Sequence, residues 1–331
     1  MRYLRLLLLV FLPVGSVSAM DAPGRAILPV ADPQGERELS LSLWYPASGG
    51  SAQGVGGNAV FRGPIAVPGA VADAGPFPLV LLSHGGVRSS PDSGAWLGAA
   101  LARSGHIAVE VNAPRPGSAR AGADEIWRRP DDLARALEAV LGDPKWAQRI
   151  DRNRISAVGF ALGGTAALAV AGGRIDPDAV LRSCRDMTGP DCAWYAAGDV
   201  ALETLARAPL ARDRRIPEVS AAVAIAPEYP DAFSGEGAAT EVPALVIALG
   251  PATETKDAFA EVVERSGTAS LARLPDAGPF DAFPLCTPKG AKILSQEGGD
   301  PALCATSAQA RGTVHATLVD RIRSFLARTE K

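Results

Sequence analysis

Short apolar runs alternate with helical segments along almost the whole chain, and this alternation constrains the fold more than any other feature. Residues 79–82, 107–111, 154–158, 221–226, 244–249 and 269–274 are nearly continuous in apolar or small residues. A strand of that kind can leave neither face in water, so it belongs inside a mainly parallel sheet with helices over both faces. Helical stretches fall between the runs. Residues 93–103 form one, ended by Gly105. Pro130 opens a second, with Asp131 and Asp132 in its first turn, where negative charge suits the dipole. The last, residues 308–327, places Val314, Leu318, Ile322 and Phe325 on one face. Residues 37–45 instead alternate apolar and polar up to Pro46, as a half-buried strand does. The expected fold is α/β: about eight mainly parallel strands, helices on both faces, and no internal repeat or linker. Residues 20–331 therefore read as a single domain. The irregular stretch 173–217 reads as a small lid-like insertion between core strands.

Composition removes other classes. The 47% hydrophobic content is too high for a disordered chain. With 33 Lys+Arg against 36 Asp+Glu, there is no excess of positive charge to neutralise phosphates, so no nucleic-acid partner is expected. The 35 glycines and 27 prolines call for many tight turns, above all in the loops 47–77 and 112–124.

Residues 1–19 read as a signal peptide. Arg2 and Arg5 precede an apolar run over 6–14, and Val17-Ser18-Ala19 supplies small residues for cleavage. That run is too short for a stable membrane anchor. Export to the periplasm or the medium follows, and four cysteines suit an oxidising compartment. They form two local sets, Cys184 with Cys192 and Cys286 with Cys304, although sequence leaves the other two connectivities open. None of the three histidines lies near a cysteine, so neither a metal nor another cofactor is expected.

The segment with most chemical content is Gly159-Phe160-Ala161-Leu162-Gly163-Gly164, which joins a strand directly to a helix. Its spacing is that of a nucleophile elbow, Gly-x-Ser-x-Gly, in which glycines permit a bend too tight for a Cβ. A relaxed dinucleotide fingerprint also fits, with Asp178 as the distant acid, but Asp178 follows a helix and should end a strand. Together with Trp44-Tyr45-Pro46-Ala47, Ser83-His84-Gly85-Gly86 and Arg129-Pro130-Asp131-Asp132-Leu133, the elbow resembles the α/β-hydrolase superfamily. Within it the chain is most similar to the dienelactone-hydrolase-like and platelet-activating-factor-acetylhydrolase-like group.

The resemblance implies a Ser-acid-His triad, and this chain departs from it at each place. Ala161 stands where the family has its serine. Pro279, seven residues before Cys286, stands where it has its histidine. The acid position after residues 244–249 falls at Thr253, with Glu254 or Glu228 usable only after a local shift. Three changes together mark natural loss, because a trap built by replacing the serine would keep its partners. The resemblance further implies oxyanion-hole N–H groups at Gly86 and Leu162, elbow glycines at Gly159 and Gly163, and His84 packed beneath the oxyanion loop.

His106 is expected to serve core or surface packing, and His315 to be solvated or to cap its helix. Ser83, Ser89 and Thr165 are the other hydroxyls near the motifs, and none is at the apex. Trp194 and Tyr195 are candidates to line a pocket under the lid. The expected function is a non-catalytic, exported homologue of ester hydrolases that takes a small acyl or ester-like ligand or a protein partner. The alternative is an active esterase with relocated catalytic residues.

Overall fold

The computed structural model describes residues 22–329 apart from 186, 188, 234–239 and 253–256. The expected signal peptide, residues 1–19, lies outside the described residues. Ten strands make one sheet: β1 (Gly24–Val30), β2 (Leu39–Tyr45), β3 (Gln53–Gly54), β4 (Ile65–Pro68), β5 (Phe77–Ser83), β6 (Ile107–Asn112), β7 (Ile150–Phe160), β8 (Val219–Ile225), β9 (Ala244–Leu249) and β10 (Ala269–Leu274). Their order is β10-β9-β8-β7-β5-β6-β2-β1-β4-β3. From β10 to β6 every pairing is parallel, whereas β2 lies antiparallel to both β6 and β1.

The continuous apolar runs behave as expected. In β5, Leu79 and Leu81 enter a core with Ile107, Val109, Leu133 and Val140 on one face. Val80 and Leu82 enter another with Val158, Leu97, Leu101, Leu318 and Ile322 on the other face. Alternate residues of a strand point to opposite faces, so a strand covered on both sides needs apolar residues throughout. The helix Ala95–Arg103 and the C-terminal helix Ala308–Thr329 cover the second face.

Three departures from the sequence reading have local reasons. The sheet gains β3 and β4 from the Gly/Pro-rich stretch 47–77, where strands of two and four residues are too short to show a period. The strand β1 joins by pairing with β2 over seven positions, although its own residues are mostly half-buried. The helix expected to begin at Pro130 begins at Glu125 and runs to Gly142. Proline costs a helix one hydrogen bond, but here the turn before it is fixed by side chains. Glu125 binds Arg129 at 2.7 Å and Arg37 at 2.6 Å, and Ile126 is buried.

Candidate functional site

Parallel strands place their C-terminal ends along one rim, and the elbow stands there between β7 and the helix Leu162–Val170. Ala161 has φ 52° and ψ −127°. A non-glycine residue in such a conformation costs about 1–3 kcal/mol and persists only where its surroundings enforce it. Those surroundings are visible. A Cβ on Gly159 would lie 2.0 Å from the Gly163 carbonyl oxygen, and one on Gly163 would lie 2.2 Å from the Ser83 carbonyl oxygen. The Ala161 amide donates to the Ile225 carbonyl at 3.0 Å, so the end of β8 holds the apex in place. The elbow backbone is complete, and its apex carries a methyl group.

The loop after β5 closes against this turn. Gly163 donates to the Gly85 carbonyl at 3.3 Å, which brings the Gly85-Gly86 backbone and Leu162 to the same end of the sheet. Arg129 fastens the loop from below, donating to the carbonyls of His84 at 3.0 Å and Gly86 at 3.5 Å. Arg129 belongs to a buried ionic cluster in which Arg37 joins Glu125 and Asp132 at 2.6 Å each. Burial works against the charge of Glu125, but Arg37 and Arg129 outweigh it and hold this carboxyl below the usual range. His84 is buried beneath the loop, as the resemblance implied. Burial and the charge of Arg129 push it down to about 4, so it is neutral near pH 7 and bonds Asn112 at 2.9 Å. Glu110 nearby is pushed up to about 8 by burial and by Asp92, yet both of its oxygens accept, from Trp44 at 3.1 Å and from the Gly94 amide at 2.7 Å.

The loop after β10 carries Pro279 and packs on the same rim. Phe280 and Phe283 join the core that contains Phe160 and Ala161, and Phe283 meets Phe160 edge-on at 5.2 Å. Asp281 pins this loop by accepting from the Gly278 amide at 2.8 Å and pairing with Arg311 at 3.3 Å, both side chains being buried. The disulfide Cys286–Cys304 closes the segment behind it. The loop is therefore firmly built, and the residue it offers at the expected base position has no titratable group. Thr253 and Glu254, the other acid candidates, lie outside the described residues.

The lid-like stretch contains the helices Pro177–Arg182, Cys192–Ala197 and Arg207–Ala211 and the disulfide Cys184–Cys192. It lies over the loop after β5. Asp191 pairs with Arg88 at 3.0 Å, Arg88 stands 5.5 Å from the Trp194 ring centroid, and Trp194 packs against Gly122. Tyr195, expected as a pocket lining, is fully buried. Asp178 starts the first of these helices and pairs with Arg207 at 2.5 Å. It ends no strand, in agreement with setting the dinucleotide motif aside.

One side chain was underrated by sequence. Glu228 follows β8, and one of its carboxylate oxygens lies 2.9 Å from the position a Cβ on Gly86 would take; an Asp191 oxygen lies 3.8 Å from the same point. Its other oxygen, Oε2, is sealed from solvent without a hydrogen-bond partner among the described residues. Burial and the negative charge of Asp191 push this carboxyl up to about 8, against the pull of Arg129. The signal available in sequence was only its place, three residues after a core strand.

The remaining candidates are engaged elsewhere. Thr165 donates its hydroxyl to the Glu228 carbonyl. Ser83 is buried at the end of β5, and Ser89 packs on Gly85. His106 precedes β6, at the rim opposite the elbow. His315 was expected to be solvated or to cap its helix. Instead it is buried, stacked on Trp96 at 3.6 Å and bonded to the Phe283 carbonyl at 3.0 Å, because the C-terminal helix lies against the helix Ala95–Arg103. Among the described residues, no three His, Cys, Asp or Glu side chains gather as a metal site, and no helix is long and apolar enough to cross a membrane.

A mainly parallel sheet with helices on both faces and an intact elbow defines an α/β-hydrolase-type fold. No protein-family model and no curated protein matches the chain. Among solved structures, the chain is similar to the ferulic acid esterase from Streptomyces cinnamoneus, with a TM-score of 0.58 and 19% identity. The match covers 95% of this chain and 91% of that one, so the likeness of fold extends over nearly the whole molecule.

Proposed function

We propose that this chain is an exported, non-catalytic homologue of ester hydrolases, resembling the dienelactone-hydrolase-like group, that uses the former substrate cleft for binding. The observation that carries this reading is Ala161 at the elbow apex, with φ 52°. The strained backbone that would present a nucleophile is retained, and the oxygen that would attack a carbonyl is absent. Pro279 removes the base from its own loop. The Gly86 and Leu162 amides require no side chain to polarise a carbonyl or carboxylate, so binding of a small acyl or ester-like ligand survives the loss of the triad. The two disulfides support an oxidising destination outside the cytoplasm. A fold shared with a ferulic acid esterase agrees with descent from an esterase site.

The test treats the purified protein with a fluorophosphonate probe and with p-nitrophenyl butyrate. Removing a serine nucleophile costs on the order of 10⁶ in kcat in a well-studied hydrolase. The expected results are no covalent labelling and no turnover above buffer. Ala161→Ser alone stays inactive, since Pro279 stands at the family's base position and cannot take the proton of the new hydroxyl. Stoichiometric labelling together with turnover, both abolished by one Ser or Thr substitution, overturns the reading.

A second reading, an active esterase with relocated residues, has one structural support. Glu228 is a partnerless carboxyl beside Gly86, placed to take a proton from water without an acyl-enzyme step. Ester turnover lost in Glu228→Gln, with no fluorophosphonate labelling, would establish that alternative.

A further inference from the structure

Three buried polar groups on the lid side of the elbow share one property. Glu228 Oε2, the Tyr195 hydroxyl and the Tyr229 hydroxyl are all without a hydrogen-bond partner outside this group among the described residues, the two phenols meeting only each other. The two tyrosines are 1% and 4% exposed, so solvent does not reach them freely. Both phenols feel the negative charges of Glu228 and Asp191, and burial with those charges holds them protonated. The three groups therefore belong to one neighbourhood. Buried polar atoms are nearly always hydrogen-bonded, so a carboxylate oxygen left over beside two phenols that meet only each other calls for a reason.

The charges around them do not balance. Asp191 is paired with Arg88, and Arg129 is committed to Glu125 and to the carbonyls of His84 and Gly86. Glu228 is left as a carboxyl with no cation of its own. Its backbone is held firmly, because its amide donates to the Ala161 carbonyl at 3.2 Å and its carbonyl accepts from Thr165. Tyr229 follows in a left-handed conformation at φ 53°, which turns the chain immediately after the carboxyl.

We infer that Glu228, Tyr195 and Tyr229 form a binding site for a primary ammonium group, so that the cleft takes an amine-bearing small molecule. The chemistry of the acceptors decides the class. An ammonium offers three donors and one positive charge, and the site offers one unpaired carboxylate oxygen and two phenol oxygens. Once Glu228 is ionised, a carboxylate ligand would meet it and Asp191 with like charge, and an alcohol would leave the carboxylate uncompensated. The inference rests on the former cleft being a binding site, and it assigns that site a ligand class other than a bare acyl group.

The site also implies a pH dependence. The charged and titratable groups that act on Glu228 are Asp191 from the lid and Arg129 from the helix Glu125–Gly142, with Tyr195 and the adjoining Tyr229 beside it; Arg88 pairs with Asp191 and Glu125 with Arg129. With its carboxyl pushed up to about 8, Glu228 must lose a proton before it can pair with a cation. Affinity for an ammonium therefore rises with pH, approaching tenfold per unit below about pH 8, and levels off above it.

Isothermal titration of the full-length protein with n-butylammonium, n-butanol and butyrate tests this. At about pH 9 the ammonium ion is expected to bind at least roughly tenfold more tightly than butanol. Glu228→Gln should lose at least that factor, and Tyr229→Phe, which keeps the ring, should lose roughly two- to tenfold. Tyr229→Phe carries the test should the Glu228 variant fail to fold. Equal binding of ammonium and alcohol, affinity unchanged in both variants, or no ammonium binding at all would sink the inference; the last outcome leaves only buried water at these groups. Assaying p-nitrophenyl butyrate hydrolysis on the same sample separates the two readings. Butyrate binding without ammonium binding or turnover removes this inference and keeps the binding cleft. Turnover removes the non-catalytic reading and leaves the ammonium titration to stand alone.

Discussion

Two acidic clusters flank the elbow, and they differ in a way that separates structure from site. In the first, Arg37, Glu125, Arg129 and Asp132 satisfy one another: each carboxyl meets a guanidinium at 2.7 Å or less. In the second, Glu228 lies beside Gly86 with one oxygen unpartnered, and the two tyrosines near it have only each other. Both clusters are buried. Buried charge is retained for architecture when every group has a partner, because the partners repay much of the desolvation cost. A cluster with an unpartnered carboxylate oxygen destabilises the fold, and such a cost persists at places that do something else. The saturated cluster holds the loop after β5 in place through Arg129, and the unsaturated one opens onto that loop.

The strongest way to break this comparison is Arg37→Met. It leaves Glu125 and Asp132 without their shared cation, and unfolding by urea should show a loss of about 3–5 kcal/mol. A loss under about 1 kcal/mol would mean that the first cluster is no more structural than an exposed ion pair.

Glu228→Gln should act in the opposite direction. A carboxyl whose folded value is raised binds protons in the native state that the unfolded state has released, so stability falls as pH rises from about 4.5 towards 8. Glu110, also raised to about 8, adds a slope of the same sign. His84 and His315, both lowered to about 4, give an opposing slope that ends near pH 6.5. Between about pH 6.5 and 8 only the falling slope from these four groups remains. Glu228→Gln should flatten it in part and gain about 1–3 kcal/mol at pH 9. A thermal denaturation series across this window checks the sign, and a less stable variant at pH 9 would place Glu228 with the saturated cluster.

Tyr229→Phe removes a hydroxyl with no partner beyond the Tyr195 phenol. Its stability should change by under about 1 kcal/mol in either direction, whereas a fully hydrogen-bonded buried tyrosine would lose more on the same change. The smallest effect belongs to the apex. Ala161→Gly relieves a side chain held at φ 52°, and the gain should be about 0.5–1 kcal/mol, after the entropy that glycine adds to the unfolded chain. Calorimetry showing destabilisation would mean that the methyl packs well enough to outweigh the strain.

The elbow shows how far sequence reached. Gly159 and Gly163 were legible because the steric demand is local: a Cβ at either position strikes backbone a few residues away or on the neighbouring strand. The core strands were legible because burial on both faces leaves only apolar residues. The identity of residue 279 was legible as well, and a proline there cannot titrate in any fold. The helix start was misplaced by five residues, since the ionic cluster that carries the helix across Pro130 recruits Arg37 from about ninety residues away. His315 was misplaced for a related reason, as its stacking partner Trp96 belongs to a helix more than two hundred positions earlier.

By itself, the amino-acid sequence determined the class of fold, the elbow backbone and the methyl group at its apex, because each depends on residue identity at short range. The tertiary structure decided which carboxyls are paired and which are not. Glu125 and Glu228 are the same residue type and both are taken out of water, and nothing in their sequence neighbours distinguishes them. Their roles divide because the fold brings two guanidiniums to the first, and brings Asp191, two phenols and the Gly86 backbone to the second.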